Sequence, residues 1–332
     1  MLGTPQCPTN IQKVIDTLIV ELRTHPANGK VADYIPALKN VDPDSVGIAC
    51  CTLDGEVITA GDADKDFSVQ SIAKIYSLVM AMTRSDDQLW ERVRMEPSGQ
   101  AFNSIVQLES ENGIPRNPMI NAGAIVISDI IVSRYSTPNH AFVQFVSRLC
   151  GRDPVLVDST VFASEKKHGH RNAAMAHLMK DFGNIHGKVE NVLEHYFYQC
   201  SLSLNCSDLA KSLLFLANKG VQPANIHSNI HTNIPKNGDA TSEIAGEQVC
   251  SRVDCHRVNA ILSTSGMYDQ SGEFAFSVGL PAKSGVGGGI VAIVPNFGVI
   301  AVYSPRLNQY GNSYAGKWLI TEFAQKLGLS VF

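Results

Sequence analysis

Phe67-Ser68-Val69-Gln70-Ser71-Ile72-Ala73-Lys74 is the stretch at which the chain changes its period. Before it, two short apolar runs at 46–53 and 56–60 flank Asp54-Gly55, the pattern of a β-hairpin. From Ser71 onward apolar residues recur at helical spacing, and the segments 71–82, 123–134, 140–150, 172–180, 189–200 and 207–218 read as helices. Strand character returns at 274–280, 289–294 and 298–303. At the two ends lie amphipathic helices. One, over 10–25, carries Ile11, Val14, Ile15, Leu18 and Leu22; the other, over 312–327, carries Leu319, Ile320, Phe323 and Leu327 and stops at Gly328. Strands and helices at both ends of a helical block predict an α+β fold, an antiparallel sheet flanked by terminal helices plus an all-helical lobe. The expected division is a discontinuous sheet domain, 1–70 and 250–332, and a mainly helical domain, 71–249, with a ligand cleft between them.

Composition excludes several classes of function. The chain has 332 residues, 44% of them hydrophobic and 17% charged, which suits an ordinary globular protein rather than long disorder. A formal net charge of -4 leaves no basic footprint for nucleic acid or an anionic membrane surface. The longest apolar run, 287–303, is broken by Pro295 and Asn296, short of the ~18 unbroken residues of a membrane helix. The first ten residues, MLGTPQCPTN, lack the charged and apolar regions of a secretory signal, so the expected location is the cytoplasm. Cys7, Cys50, Cys51, Cys150, Cys200, Cys206, Cys250 and Cys255 form no C-x-x-C pair and are expected as free buried thiols. The close histidines, His168 with His170 and His227 with His231, have no third ligand at metal-binding spacing, so neither metal nor cofactor is expected. A tandem Asn-Ile-His/Pro repeat within 225–239 is expected to be a surface insertion.

Chemistry concentrates at Ser71-Ile72-Ala73-Lys74. An S-x-x-K at a helix start puts hydroxyl and amine on one face. A serine needs an adjacent base, and a lysine becomes one when burial disfavours its ammonium. Val69, Ile72, Ile75, Leu78 and Val79 supply the apolar surroundings. Ser164-Glu165-Lys166-Lys167 matches the same pattern, but in polar surroundings that would leave Lys167 charged. Farther along, Lys283-Ser284-Gly285-Val286-Gly287-Gly288-Gly289 links two predicted strands. Serine β-lactamases and penicillin-binding proteins combine S-x-x-K with K-T-G in this order. Here Ser284 would stand in for the threonine, and the glycines would let a backbone N–H approach a reacting carbonyl.

Seven blocks resemble the bacterial-type glutaminases, a serine-dependent family with a β-lactamase-like fold. They are GKVADYIP from Gly29, FSVQSIAK from Phe67, EPSG from Glu96, NPMINAGAI from Asn117, SEK at Ser164 with Gly169 and Arg171-Asn172, SGMYD from Ser265, and GLPAKSGVGGGI from Gly279. The resemblance implies hydrolysis of L-glutamine to L-glutamate and ammonia through a γ-glutamyl ester on the enzyme. By it, Ser71 is the nucleophile, Lys74 the base, Tyr268 a proton shuttle, and the N–H groups of Ser71 and Val286 the oxyanion hole. Tyr34, Gln70, Asn121, Glu165, Asn172 and Tyr196 match substrate-binding positions, with Ser71, Tyr268 and Val286 also touching substrate. The resemblance further implies a homodimer or homotetramer. The physical reading agrees: a carboxylate such as Glu165 suits the substrate's α-ammonium, while amides and phenols donate to its carboxylate.

The chain departs from the family pattern in three places. His170 stands where aspartate is usual and Ser265 where cysteine is usual, and the Asn-Ile-His insertion lengthens a normally short loop by roughly twenty residues. His170 sits two residues before Asn172 and five after Glu165, so either its protonation makes substrate binding depend on pH or it is a solvent-facing histidine with no such effect. Two rival functions remain at this stage. A penicillin-recognising serine hydrolase needs S-D-N or Y-x-N between the two motifs, and the only Y-x-N, Tyr310-Gly311-Asn312, follows Lys283. A non-catalytic glutamine sensor would not need Ser71, Lys74 and Tyr268 together.

Overall fold

A computed structural model describes residues 8–25, 28–83, 88–99, 104–227 and 246–332. Five strands form one antiparallel sheet: β1 (Gly47–Thr52), β2 (Val57–Gly61), β3 (Ala282–Ser284), β4 (Gly289–Val294) and β5 (Gly298–Tyr303). Their order is β2-β1-β5-β4-β3, so the N-terminal hairpin pairs with the C-terminal meander through β1 and β5. Gly47 faces Tyr303 at one end of that pairing and Thr52 faces Gly298 at the other.

The three central strands are apolar without alternation because the sheet is covered on both faces. Successive side chains point to opposite sides. Ile48, Cys50, Ile290, Ala292, Ile300 and Val302 share a core with the terminal helices α1 (Pro8–Leu22) and α9 (Tyr314–Leu327). Ala49, Cys51, Val291, Ile293, Val299 and Ala301 belong to the core of the helical block. That block contains α2 (Ala73–Met82), α3 (Asn121–Arg134), α4 (Pro138–Cys150), α5 (Ser159–His168), α6 (His170–Asp181) and α7 (Val189–Cys200), and α8 (Arg252–Ser265) packs against its core. A second, three-stranded sheet, in the order Phe67–Ser68, Leu202–Leu204, Leu156–Val157, ties the entry to α2 to the exit of α7.

Four segments differ from the sequence expectation. Phe274, Phe276, Val278 and Leu280 alternate, yet the structure places a helix at Ser271–Ser277 and starts the strand at Ala282. Phe276 is 93% exposed, while Phe274 and Val278, four apart, are buried. Gly279, at φ +69, ends the turn by donating to the Phe274 carbonyl. The helix expected over 207–218 breaks into Cys206–Ser212 and Leu214–Ala217. Buried Gln222 substitutes for the lost ladder there, accepting from Phe215 N–H and donating to the Leu149 and Lys211 carbonyls. Helices α5 and α8 had no apolar stripe clear enough to predict them. Asp158 caps α5 through the Thr160 and Val161 amides, and Ser251 caps α8 through Asp254.

The cysteines at 50, 51, 150, 200, 206, 250 and 255 are free and buried, as expected; Cys7 lies outside the described residues. Most of the Asn-Ile-His segment also lies outside them, beyond a short ladder in which Val221–Gln222 pairs with Glu247–Gln248. Among the described residues, no helix is long and apolar enough to cross a membrane.

Candidate active site

The site begins with a strained turn. Gln70, Ser71 and Ile72 form a 3-10 turn between strand Phe67–Ser68 and α2, and Gln70 adopts φ +50, a left-handed conformation uncommon outside glycine. Its side chain holds the turn, since Gln70 Nε2 donates to Ser68 Oγ at 3.0 Å and Ser68 Oγ donates to the Cys200 carbonyl at 2.9 Å. Ser71 is thereby fixed at the start of α2 and is only 8% exposed.

Lys74, one turn along, lies among Val69, Ile72, Ile75, Leu78 and Val79, all fully buried. Its amine donates to the Met119 carbonyl at 2.9 Å and to Asn121 Oδ1 at 2.8 Å. Burial pushes its pKa down to about 8, opposed by Cys200 and Glu165. Met119 and Asn121 are themselves held in place. Asn117 Oδ1 accepts from the Met119 and Ile120 amides, and a Cβ on Gly123 would stand 1.9 Å from the Asn117 carbonyl oxygen. Asn121 then passes the network on, donating from Nδ2 to Asn172 Oδ1 at 3.0 Å.

Glu165 and Asn172 come from either side of the α5–α6 corner. That corner needs Gly169, where a Cβ would lie 2.3 Å from the Phe197 ring and 2.8 Å from the Glu165 carbonyl. Burial raises the Glu165 carboxyl to about 7, against the opposing pull of Gln70 and Lys74. Tyr196 is buried, and its phenol lies well above the usual range through burial, with Cys200, Glu165 and Tyr34 adding to the shift. Tyr34 is 57% exposed as a whole residue, and its phenol is likewise raised, chiefly by burial, with Tyr268, Glu165 and Cys200 adding to the shift.

Two further segments close on Ser71. Tyr268, also at φ +50, starts a 3-10 turn after α8. Its hydroxyl faces the Ser71 side chain and the Val286 backbone amide, which oppose the upward shift that burial imposes. Val286 lies on the loop joining β3 to β4. Glycine is required there by contact: a Cβ on Gly285 would meet the Val69 carbonyl at 2.4 Å, and one on Gly287 the Ser68 carbonyl at 2.0 Å. The loop thus lies directly against the backbone that precedes the serine.

Tyr34, Gln70, Ser71, Asn121, Glu165, Asn172, Tyr196 and Val286 all line one cavity of about 230 Å³, and Lys74 and Tyr268 adjoin it through Asn121 and Ser71. The volume is below the ~300–1,000 Å³ of drug-sized sites and suits an amino-acid-sized ligand. Ile35, His168, Gly169, Arg171 and Cys200 complete the lining. Arg171 belonged to a sequence block already quoted, but nothing in the pattern distinguished it from a solvated helix residue.

Two residues singled out in the sequence stand apart from the cavity. His170 does not adjoin the ligand space: it is exposed at the first position of α6, and the cavity takes His168 and Arg171 instead. Ser284, in the place of the K-T-G threonine, is fully buried and outside the cavity lining, because β3 turns it into the interior. The rival Ser164 is half-buried and accepts from the Ala37 amide at 3.5 Å, while Lys167 is exposed, as its polar surroundings predicted.

Comparison with known proteins supports the same family. The profile described as Glutaminase matches residues 29–238 and 234–332. A glutaminase of Cronobacter sakazakii is 49% identical over 321 residues, covering 96% of this chain and 98% of that protein. One from Vibrio cholerae is 49% identical over 320 residues, covering 96% and 98%. Among solved structures, the probable glutaminase ybaS superposes with a TM-score of 0.88 at 31% identity, covering 98% of this chain and 99% of that one. A probable glutaminase from Bacillus subtilis, solved with 6-diazo-5-oxo-L-norleucine, gives 0.80 at 31% identity, covering 100% and 99%. The antiparallel sheet with its helical block is therefore the β-lactamase-like fold of these enzymes, and the chain belongs to the glutaminase family.

Proposed function

We propose that this enzyme hydrolyses L-glutamine to L-glutamate and ammonia through a γ-glutamyl ester on Ser71. The observation that carries the reading is the convergence of Ser71, Tyr268 and the Val286 amide at the wall of a cavity containing one buried carboxylate, Glu165. The ligand named for the B. subtilis relative fits such a cavity. It is an α-amino acid with a carbonyl at the carbon where glutamine carries its amide.

In this mechanism Glu165 binds the substrate's α-ammonium, and the ion pair offsets the burial that raises its carboxyl to about 7. Asn121, Asn172, Tyr34 and Tyr196 hydrogen-bond the α-carboxylate, with Arg171 adding a cation at the lining. Gln70 fixes Glu165 and the turn together. Ser71 Oγ attacks the amide carbon as its proton passes to neutral Lys74, a base tuned to about 8 by burial. The amides of Ser71 and Val286 stabilise the oxyanion, an interaction typically worth about 10²–10³ in kcat per donor. Tyr268 relays a proton to the departing ammonia. Water then cleaves the ester, with the same groups acting in reverse. The strained conformations of Gln70 and Tyr268, on either side of the nucleophile, support the reading, because such backbone strain gathers at functional sites.

Two parts of the reading concern the whole protein. One is the division into a sheet lobe (1–70 and 250–332) and a helical lobe (71–249); the other is an assembly of two or four copies, which light scattering measures. The test of function is ammonia release from glutamine, asparagine and a chromogenic β-lactam. Release from glutamine alone supports the proposal. Turnover of the β-lactam favours a penicillin-recognising hydrolase, and glutamine binding without ammonia favours a sensor.

A further inference from the structure

The side chain of Lys283 has no assigned task in this mechanism, yet it is one of the largest fully buried side chains of the protein. It does not line the cavity. Its amine donates to the Gly266 carbonyl at 3.1 Å and to the Ser284 carbonyl at 2.6 Å, and lies over the Tyr268 ring, 4.5 Å from its centroid. Gly266 is two residues before Tyr268, and Ser284 two residues before Val286. The Gly266 carbonyl also accepts from the Ser284 amide at 3.1 Å, so a single oxygen joins both segments. Close packing enforces the junction: a Cβ on Gly266 would lie 1.7 Å from the Ala282 carbonyl oxygen.

Burying an amine is expensive, and an apolar side chain of similar volume would fill the same space at lower cost. Burial and nearby Lys74 push the Lys283 pKa well below the usual lysine range, opposed by Cys200. A neutral amine still has two N–H groups, one for each carbonyl. The amine therefore bonds the segment that carries the phenol to the segment that carries the oxyanion donor, and its Nζ supports the phenol ring. That ring is attached to a backbone in the left-handed region, which persists only where its surroundings enforce it.

We propose that Lys283 is a positioning residue that fixes the Tyr268 ring relative to Ser71, so that its loss lowers kcat through Tyr268. The inference rests on the proton-transfer role given to Tyr268 above.

The test compares wild type, Lys283→Met, Tyr268→Phe and the double variant, measuring kcat and KM for glutamine with near-ultraviolet circular dichroism as a check on folding. Tyr268→Phe is expected to lower kcat by about 10²-fold or more. Lys283→Met should lower it about 10–100-fold with KM within about threefold, and the double variant should be no slower than Tyr268→Phe alone. If Lys283→Met does not fold, Lys283→Gln keeps an NH2 donor on a shorter arm and should show a smaller kcat loss with the same non-additivity. An unchanged kcat in the lysine variant, or a loss that multiplies in the double variant, overturns the proposal alone. A wild-type kcat in Tyr268→Phe overturns the role of Tyr268 and this proposal with it.

Discussion

In the proposed mechanism, two buried groups with opposite shifts set the chemistry at the scale of single residues. Lys74 is lowered to about 8 and Glu165 raised to about 7, both chiefly by burial, so both are close to neutrality in the same pH range. The base must be neutral to accept a proton, and the lowered lysine is neutral above its pKa, so kcat should rise as pH increases through about 8 and then level off. Glu165 must be ionised to hold an ammonium, so KM should fall as pH increases through about 7; initial rates across the range check both slopes. Glu165→Gln removes a charge-assisted contact and should raise KM about 10–100-fold. His170→Asp should leave the KM profile unchanged, since the histidine is exposed outside the cavity. Ser71 and Lys74 were legible in the sequence because an apolar neighbourhood and an i,i+3 spacing are both linear patterns. The strain at Gln70 and Tyr268 was not, because φ is imposed by tertiary contacts and leaves no compositional trace.

Strands and helices were readable to the extent that one face decided them. Val189–Cys200 and the strands Gly289–Val294 and Gly298–Tyr303 match their predicted ranges, being long apolar runs with clear stops. The segment Ser271–Ser277 misled because an exposed phenylalanine imitated strand alternation. Glycines carry the rest of the site at this scale. Gly287→Ala would drive a methyl group into the Ser68 carbonyl and lift the Val286 loop from Ser71, so kcat should fall by at least about tenfold if the Val286 amide is the oxyanion donor proposed above. The frame of the helical block depends on a different contact. Asp129, fully buried within α3, accepts from Arg92 at 2.6 Å and from the His186 and Gly187 amides at 3.1 and 2.7 Å. Asp129→Ala leaves two amides without their acceptor and the guanidinium, still bonded to Asn184, without its counter-charge, and should cost about 3 kcal/mol in urea unfolding.

In the molecule as a whole, the site is assembled from distant parts of the sequence. Tyr34 near the N-terminus, the 67–74 turn, the α3 and α5–α6 corners and the C-terminal β3–β4 loop meet only because β1 pairs with β5 and the sheet packs against the helical block. Period and spacing predicted the layers but not this meeting; Glu165 and Asn121, for instance, were linked to Ser71 through the family resemblance rather than through any local pattern. The measurement that tests the account most directly is acid-quench mass spectrometry during glutamine turnover, followed by peptide mapping. The account predicts a transient mass increase of one glutamyl group, confined to the peptide containing Ser71 and absent in Ser71→Ala. A glutamyl group on Ser164, Cys200 or any other residue, or full turnover by Ser71→Ala, would contradict it.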